Sequence, residues 1–162
     1  MKVTNNEAGR CWTHVKKITF ADFAAVSSAA DADTVTLQLF KIPTNSVVES
    51  VGYRLKTAFN DDASGTALTV ALGDTDDADG FVLANEVHAD GTELFIGWSD
   101  GAYFRGTDSG SSQYTDKVIN GKEYNTTGNV VEAVFTPTGN KCEELTSGEI
   151  IFFARILDTN LL

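Results

Sequence analysis

The sequence predicts an all-β domain, a β-sandwich of jelly-roll type with long loops rich in Gly, Ser and Asp. Three observations predict it. Short runs of residues alternate apolar and polar along the chain, clusters of Gly, Asp, Asn and Ser separate them, and helix signals are scarce. Many short strands at regular spacing with turn clusters between them belong to sandwiches and barrels.

The elements justify this in order. Residues 1–14 read as a flexible N-terminal arm and residues 15–162 as a single sandwich domain. Residues 34–40 (TVTLQLF) place Val35, Leu37 and Leu39 on one face and Thr34, Thr36 and Gln38 on the other, the period of a half-buried strand. A turn at Ile42, Pro43, Thr44 and Asn45 comes next, with a proline that cannot donate to a ladder. Residues 47–59 alternate again, setting Val47, Val51, Tyr53 and Leu55 against Ser50, Gly52, Arg54 and Lys56. After a turn at residues 60–65, Leu68, Val70 and Leu72 mark another strand, and residues 130–136 and 149–157 complete the set. Residues 82–89 could form a turn or two of helix, and the alanine-rich residues 20–30 are ambiguous. Residues 97–128 are rich in Gly, Ser, Asp and Asn, which places long loops at one end of the sandwich.

Composition limits the partners. The chain has 162 residues, enough for one domain with a core of its own. Its 12 Lys and Arg against 23 Asp and Glu leave a formal net charge of −11. Nucleic acid is therefore not an expected partner, because affinity for it comes from replacing counterions with Lys and Arg. No apolar run approaches the roughly 18 residues of a membrane span, so no membrane partner is expected either, and residues 1–10 lack the apolar core of a signal peptide. Cys11 and Cys142 belong to no metal-binding pattern; they either pair across the chain or stay as two separate thiols.

No motif gives catalysis a carrier, and the chain is expected not to be an enzyme and to need no cofactor. Residues 97–101 (GWSDG) fit the G-x-S-x-G nucleophile elbow, but the next residues, AYFRGTDSGSS, do not read as a helix, and His14 and His88 both precede Ser99. The alternative is a glycine-rich turn with Trp98 packed beside it. Residues 75–86 resemble a 12-residue calcium loop with Asp77, Asp79 and Glu86 at ligand positions, yet position 1 is Thr75 and a strand precedes it. A looser calcium site at Asp74, Asp76, Asp77 and Asp79 is the weaker alternative to a solvated acidic turn, and no other metal site is expected. Acid–base catalysis needs two carboxylates fixed across a cleft, whereas these Asp residues cluster in turns.

Contact surfaces are the stronger candidates. In residues 149–157 (EIIFFARIL), Ile150, Phe152, Ala154 and Ile156 share one face and Ile151, Phe153 and Leu157 the other. A one-sided sheet would show polar residues there. The second face is covered either by the chain itself or by another subunit, which makes Ile151, Phe153 and Leu157 candidate contacts. Arg10, Trp12, Lys16 and Lys17 form the most basic stretch of an acidic chain and are candidate contacts of the N-terminal arm. Trp98, Tyr103, Phe104, Tyr114 and Tyr124 either close the open end of the core or stack on a ligand such as a sugar.

The run VTLQLFKIPTNSVVESVGYRLKTAFNDDASGTALTVALGDTDDADGF resembles a family of small tailed-phage virion proteins, which pair a Leu-Phe-x-Ile/Leu-Pro strand end with a valine-rich strand and a Gly-Asp-x-x-Asp-Ala-Asp turn. Residues 122–126 (KEYNT), VVEAVFTPTGN and ELTSGEIIFFARILD resemble the same group, so the likeness spans roughly residues 34–158. The resemblance implies a capsid decoration, or cement, protein made in the host cytoplasm and placed on the virion surface. It implies the major capsid protein or another virion protein as partner and a homo-oligomer, with a trimer favoured. On that reading the basic arm, with Arg10, Trp12, Lys16 and Lys17, contacts the capsid. A head-fibre, neck or tail adaptor and a carbohydrate-binding module are the other expectations.

Overall fold

Two long strands form the spine of the molecule. In the computed structural model, which describes residues 12–25, 34–61, 65, 67–88, 96–98, 101, 103, 121–139 and 141–161, the strands are β1 (His14–Thr19), β2 (Val35–Lys41), β3 (Ser46–Asp61), β4 (Ala67–Gly73), β5 (Val82–Glu86), β6 (Ile96–Trp98), β7 (Lys122–Tyr124), β8 (Val130–Thr138) and β9 (Leu145–Asp158). The spine is the antiparallel pair β3 and β9, which runs from Ser46 opposite Asp158 to Asp61 opposite Leu145.

Among the described residues the nine strands make two sheets. One has the order β1-β9-β3, with β6 and β7 end to end along the far edge of β3; the other has the order β2-β8-β4-β5. The pairings nest: β1 with β9, β2 with β8, β3 with β6 and β7, and β4 with β5, all antiparallel. One long hairpin closed at the β4–β5 turn and rolled so that successive pairs alternate between sheets is a jelly roll. The expected all-β sandwich is what the chain forms.

The core lies between the sheets and is aromatic. Phe23, Tyr53, Phe59, Phe81, Phe135 and Phe152 are fully buried. Phe23, Phe59 and Phe135 meet edge to face at 4.8–6.0 Å between ring centres, as the ring quadrupoles prefer. Phe23 sits on a short 3-10 helix, Phe20–Ala25, that resolves the start of the ambiguous alanine-rich segment and closes one end of the sandwich.

Bulges decide which residues face inward. The β3–β9 register shifts between Val48 and Ser50, so Val48 is buried while Val47 is only half-buried. Strict alternation places Val47 with Val51, Tyr53 and Leu55, and one extra residue reverses that parity. A second shift on β2 buries Leu39 and Phe40 together. A third lies where β3 advances from Thr57 to Asn60 while β9 retreats from Glu149 to Ser147. Gly148 fills that step at φ 135°, and the Phe59 ring lies where its Cβ would stand. The helical turns considered for residues 82–89 are replaced by extended chain. Val82–Glu86 is a strand that pairs with β4, and the backbone of Val87 bonds Phe59 and Leu68.

Candidate functional site

The outer face of the β1-β9-β3 sheet collects most of the predicted contact residues. On β9 the inward residues Ile150, Phe152, Ala154 and Ile156 are buried, so Ile151, Phe153 and Leu157 point outward. Ile151 and Phe153 are half-buried and Leu157 is 37% exposed. Thus β9 is a central strand whose second face its own chain covers only in part. Across from it Val15 stands opposite Phe153 and Lys17 opposite Ile151 on β1, while Arg54 stands opposite Ile151 and Val47 opposite Leu157 on β3.

Trp12 belongs to this face. Its ring packs on Phe153 at 4.4 Å between centres, and the amide of Thr13 donates to the Ala154 carbonyl at 3.1 Å. The Thr13 hydroxyl accepts from the Ile156 amide at 2.9 Å. Residues 12–14 are therefore packed and hydrogen-bonded on β9. Lys16 is placed differently from Lys17. Alternation turns it away from Lys17, and its Nζ donates to the Gln38 carbonyl at 2.7 Å, tying the two sheets together at their edge. Arg10 and Cys11 lie outside the described residues.

Charge distinguishes this face from the rest of the molecule. Lys17, Arg54, Lys56 and Arg155 surround the apolar centre, against the carboxylates of Glu49, Glu123 and Glu149. Arg155 Nε lies 2.6 Å from Glu49, and Lys17 Nζ lies 3.4 Å from Glu149. The face thus carries a cationic excess in a chain of net charge −11. The outer face of the other sheet offers Thr36, Gln38, Thr69, Val134 and Thr136 with Lys41, Glu86 and Glu132. The exposed large apolar residues among those described, Val15, Phe20 and Leu157, all lie on or beside β1 and β9.

A second constellation is buried at the end of the sandwich. Asp74 directly succeeds β4, and its Oδ1 accepts the backbone amides of Asp76 and Asp77 at 3.0 and 3.1 Å and the Tyr103 hydroxyl at 2.7 Å. Its Oδ2 meets Lys122 Nζ at 2.5 Å and accepts from the Tyr124 hydroxyl. Burial alone would raise the Asp74 pKa, but the bonds from Lys122, Tyr124 and Tyr103 outweigh it and hold the carboxyl below the usual range. Lys122 also reaches Asp76 at 3.2 Å and lies over the Tyr103 and Tyr124 rings at 4.2 and 5.0 Å.

The carboxylates of the calcium alternative are engaged with other partners. Asp74 is occupied by these donors, and an ammonium sits where a cation shared by Asp74 and Asp76 would lie. Burial and the adjacent Asp79 carboxyl push Asp77 upward. Glu86, the twelfth position of the supposed loop, accepts the amides of Leu68 and His88 at 2.8 and 2.9 Å. Among the described residues no three His, Cys, Asp or Glu side chains are grouped to hold a metal. Tyr103 and Tyr124 are buried, so they close the core and offer no face to a sugar. Ser99, Phe104, Tyr114 and the Trp98 side chain lie outside the described part of the molecule.

Sequence reasoning missed Val15, Arg54 and Lys122, and with Lys122 the meeting of Asp74, Asp76, Tyr103 and Tyr124 in one cluster. Val15 and Arg54 are visible as outward positions of alternating runs. Lys122 and Asp74 stand 48 positions apart, and only the pairing of β7 with the start of β3 brings them together. Cys142 is a buried free thiol, with its pKa pushed up to about 11 by burial.

No protein-family model matches the chain, and no curated protein sequence matches it. Its fold is similar to a chain of the solved structure described as the cyanophage Pam1 capsid asymmetric unit. The TM-score is 0.51 at 13% identity, over 89% of this chain and 81% of that one. At that identity the likeness is one of fold: the jelly roll of this chain is also built by a chain of that capsid assembly.

Proposed function

We propose that this protein is a structural part of a tailed-phage particle, a cement protein that docks on the major capsid lattice through the outer face of the β1-β9-β3 sheet and acts by contact, without catalysis. The observation that carries the reading is that face: an apolar centre of Trp12, Val15, Phe153 and Leu157 whose rim holds four cations and three carboxylates, on a chain of net charge −11. The likeness of fold to the capsid chain and the family resemblance of residues 34–158 support it.

The occupant is argued from charge. A second copy would present the same net cationic rim, Lys17, Arg54, Lys56 and Arg155, to this face, and like charges oppose that pairing. A lattice surface with carboxylates around an apolar patch complements it. Buried apolar contacts would hold the protein across capsid subunit boundaries, so that pressure from packaged DNA must break them as well. A trimer, expected from the resemblance, would form through other surfaces.

Cosedimentation of the purified protein with undecorated capsids of its phage tests the reading. Wild type is expected to pellet with capsids, and Arg54→Glu and Phe153→Asp, at outward positions, are expected to stay in the supernatant while remaining folded. Equal binding by all three would remove the face from the interaction, and no wild-type binding would remove the cement role. Sedimentation of the protein alone reads the other occupant: concentration-dependent self-association lost in Phe153→Asp would assign the face to a second copy.

A further inference from the structure

We propose that Lys122 and Asp74 become joined by a self-formed isopeptide bond, a covalent cross-link between β7 and the turn after β4. The cross-link is independent of the docking role and does not need it. Both side chains are buried, at 8% and 3% exposure, and Lys122 Nζ lies 2.5 Å from Asp74 Oδ2. At rest the pair is ionised, because its donors hold the Asp74 carboxyl below the usual range, and the neutral amine and acid are reached from it by one proton transfer along the 2.5 Å contact.

The groups around the pair match what amide formation requires. Oδ1 is held by three donors, the amides of Asp76 and Asp77 and the Tyr103 hydroxyl, an oxyanion hole in the geometric sense. Oδ2 carries the Tyr124 hydroxyl. A second carboxylate, Asp76, lies 3.2 Å from the lysine nitrogen and is exposed, so it can exchange protons with water. The rings of Tyr103 and Tyr124 wall the nitrogen in. Backbone packing fixes the geometry: a Cβ on Gly80 would strike the Tyr103 ring, and one on Gly73 would strike the Asp77 carbonyl.

The step balances without an oxidant or co-reactant. Lys122 passes a proton to Asp74 Oδ2, leaving an amine and a carboxylic acid. The nitrogen lone pair attacks Cγ, a C–N bond forms, and the carbonyl electron pair moves to Oδ1 under its three donors. The nitrogen loses a proton to Asp76. As the intermediate collapses, the Cγ–Oδ2 bond breaks, Oδ2 takes that proton back and leaves as water. Three ammonium hydrogens become one amide hydrogen and two of water, and Asp76 is returned unchanged. Proximity supplies the driving force that free amine and carboxylate lack in water.

Intact mass under denaturing conditions, then peptide mapping, tests this on the full chain. Folded wild type is expected to weigh one water less than its sequence. Trypsin is expected to release residues 57–105 joined to 118–141, because a modified Lys122 is not cleaved. Lys122→Arg is expected to show its full sequence mass and separate peptides, and a lower melting temperature. Asp76→Asn is expected to form the cross-link more slowly; an unchanged rate would overturn the role given to Asp76. Folded wild type at full sequence mass, with unlinked peptides, would overturn the proposal outright, whatever becomes of the variants.

Discussion

The ring of Trp12 rests on the ring of Phe153, 4.4 Å between centres, and fastens the start of the folded chain to the outer side of its central strand. Aromatic pairs contribute about 0.5–1.5 kcal/mol beyond the area they bury. Trp12→Ala is therefore expected to cost roughly 1 kcal/mol of stability by that pair alone and to weaken capsid binding more than folding. Urea unfolding and cosedimentation, run on the same variant, separate the two effects.

Gly148 is a position where backbone and packing agree. At φ 135°, with the Phe59 ring standing where its Cβ would be built, an alanine is both strained and overpacked. Strain of this kind costs about 1–3 kcal/mol and overpacking a similar amount. Gly148→Ala is expected to lower stability by roughly 2–5 kcal/mol on those two counts together. Gly128 has a positive φ of 92° in open space, so Gly128→Ala should lose only the strain part. Denaturant midpoints of the two variants measure the difference.

His14 makes stability depend on pH. Its ring lies against Phe40 of the other sheet, and burial lowers its pKa below the ordinary value of 6.5. The unfolded chain then takes up a proton at a pH where the folded one does not. Stability contributed by the neutral ring is complete above pH 6.5 and is lost as pH falls toward the lowered folded value. Melting temperatures are expected to fall over that window, and His14→Gln is expected to flatten the slope there.

Cys142 should resist alkylation in the folded protein. Its thiol is 2% exposed and its pKa stands at about 11, so little thiolate exists at neutral pH. Iodoacetamide at mildly alkaline pH is expected to label Cys142 only after denaturant is added, and peptide mass spectrometry reads the site. Rapid native labelling would show that the segment Cys142–Glu144 opens readily.

Strands that alternate cleanly are legible in the sequence, and those that depend on a bulge are not. Leu68, Val70 and Leu72, or Ile150 and Phe152, need only the period of a strand. Val47 reads as inward because the extra residue near Glu49 leaves no mark in composition. Strand β5 reads as helix as readily as strand because Val82–Glu86 (VLANE) is short and mixes propensities; its pairing to β4 settles the matter. Ile151, Phe153 and Leu157 stand out because three large apolar groups on a second face are unusual in a one-sided sheet. Lys16 and Lys17 look alike in the sequence, yet adjacent strand residues point to opposite sides, and only Lys17 reaches the outer face. The Asp74 and Lys122 pair is beyond reach, since it depends on three chain segments that meet only in three dimensions.

Quantitative mass spectrometry of purified virions reads the protein's placement in the particle. Copies are expected in proportion to the major capsid protein, lost together with the capsid-bound fraction when Arg54→Glu is the only form supplied. Absence from the virion would contradict a structural role. A handful of copies per particle would contradict the cement role and point to a neck, tail or fibre.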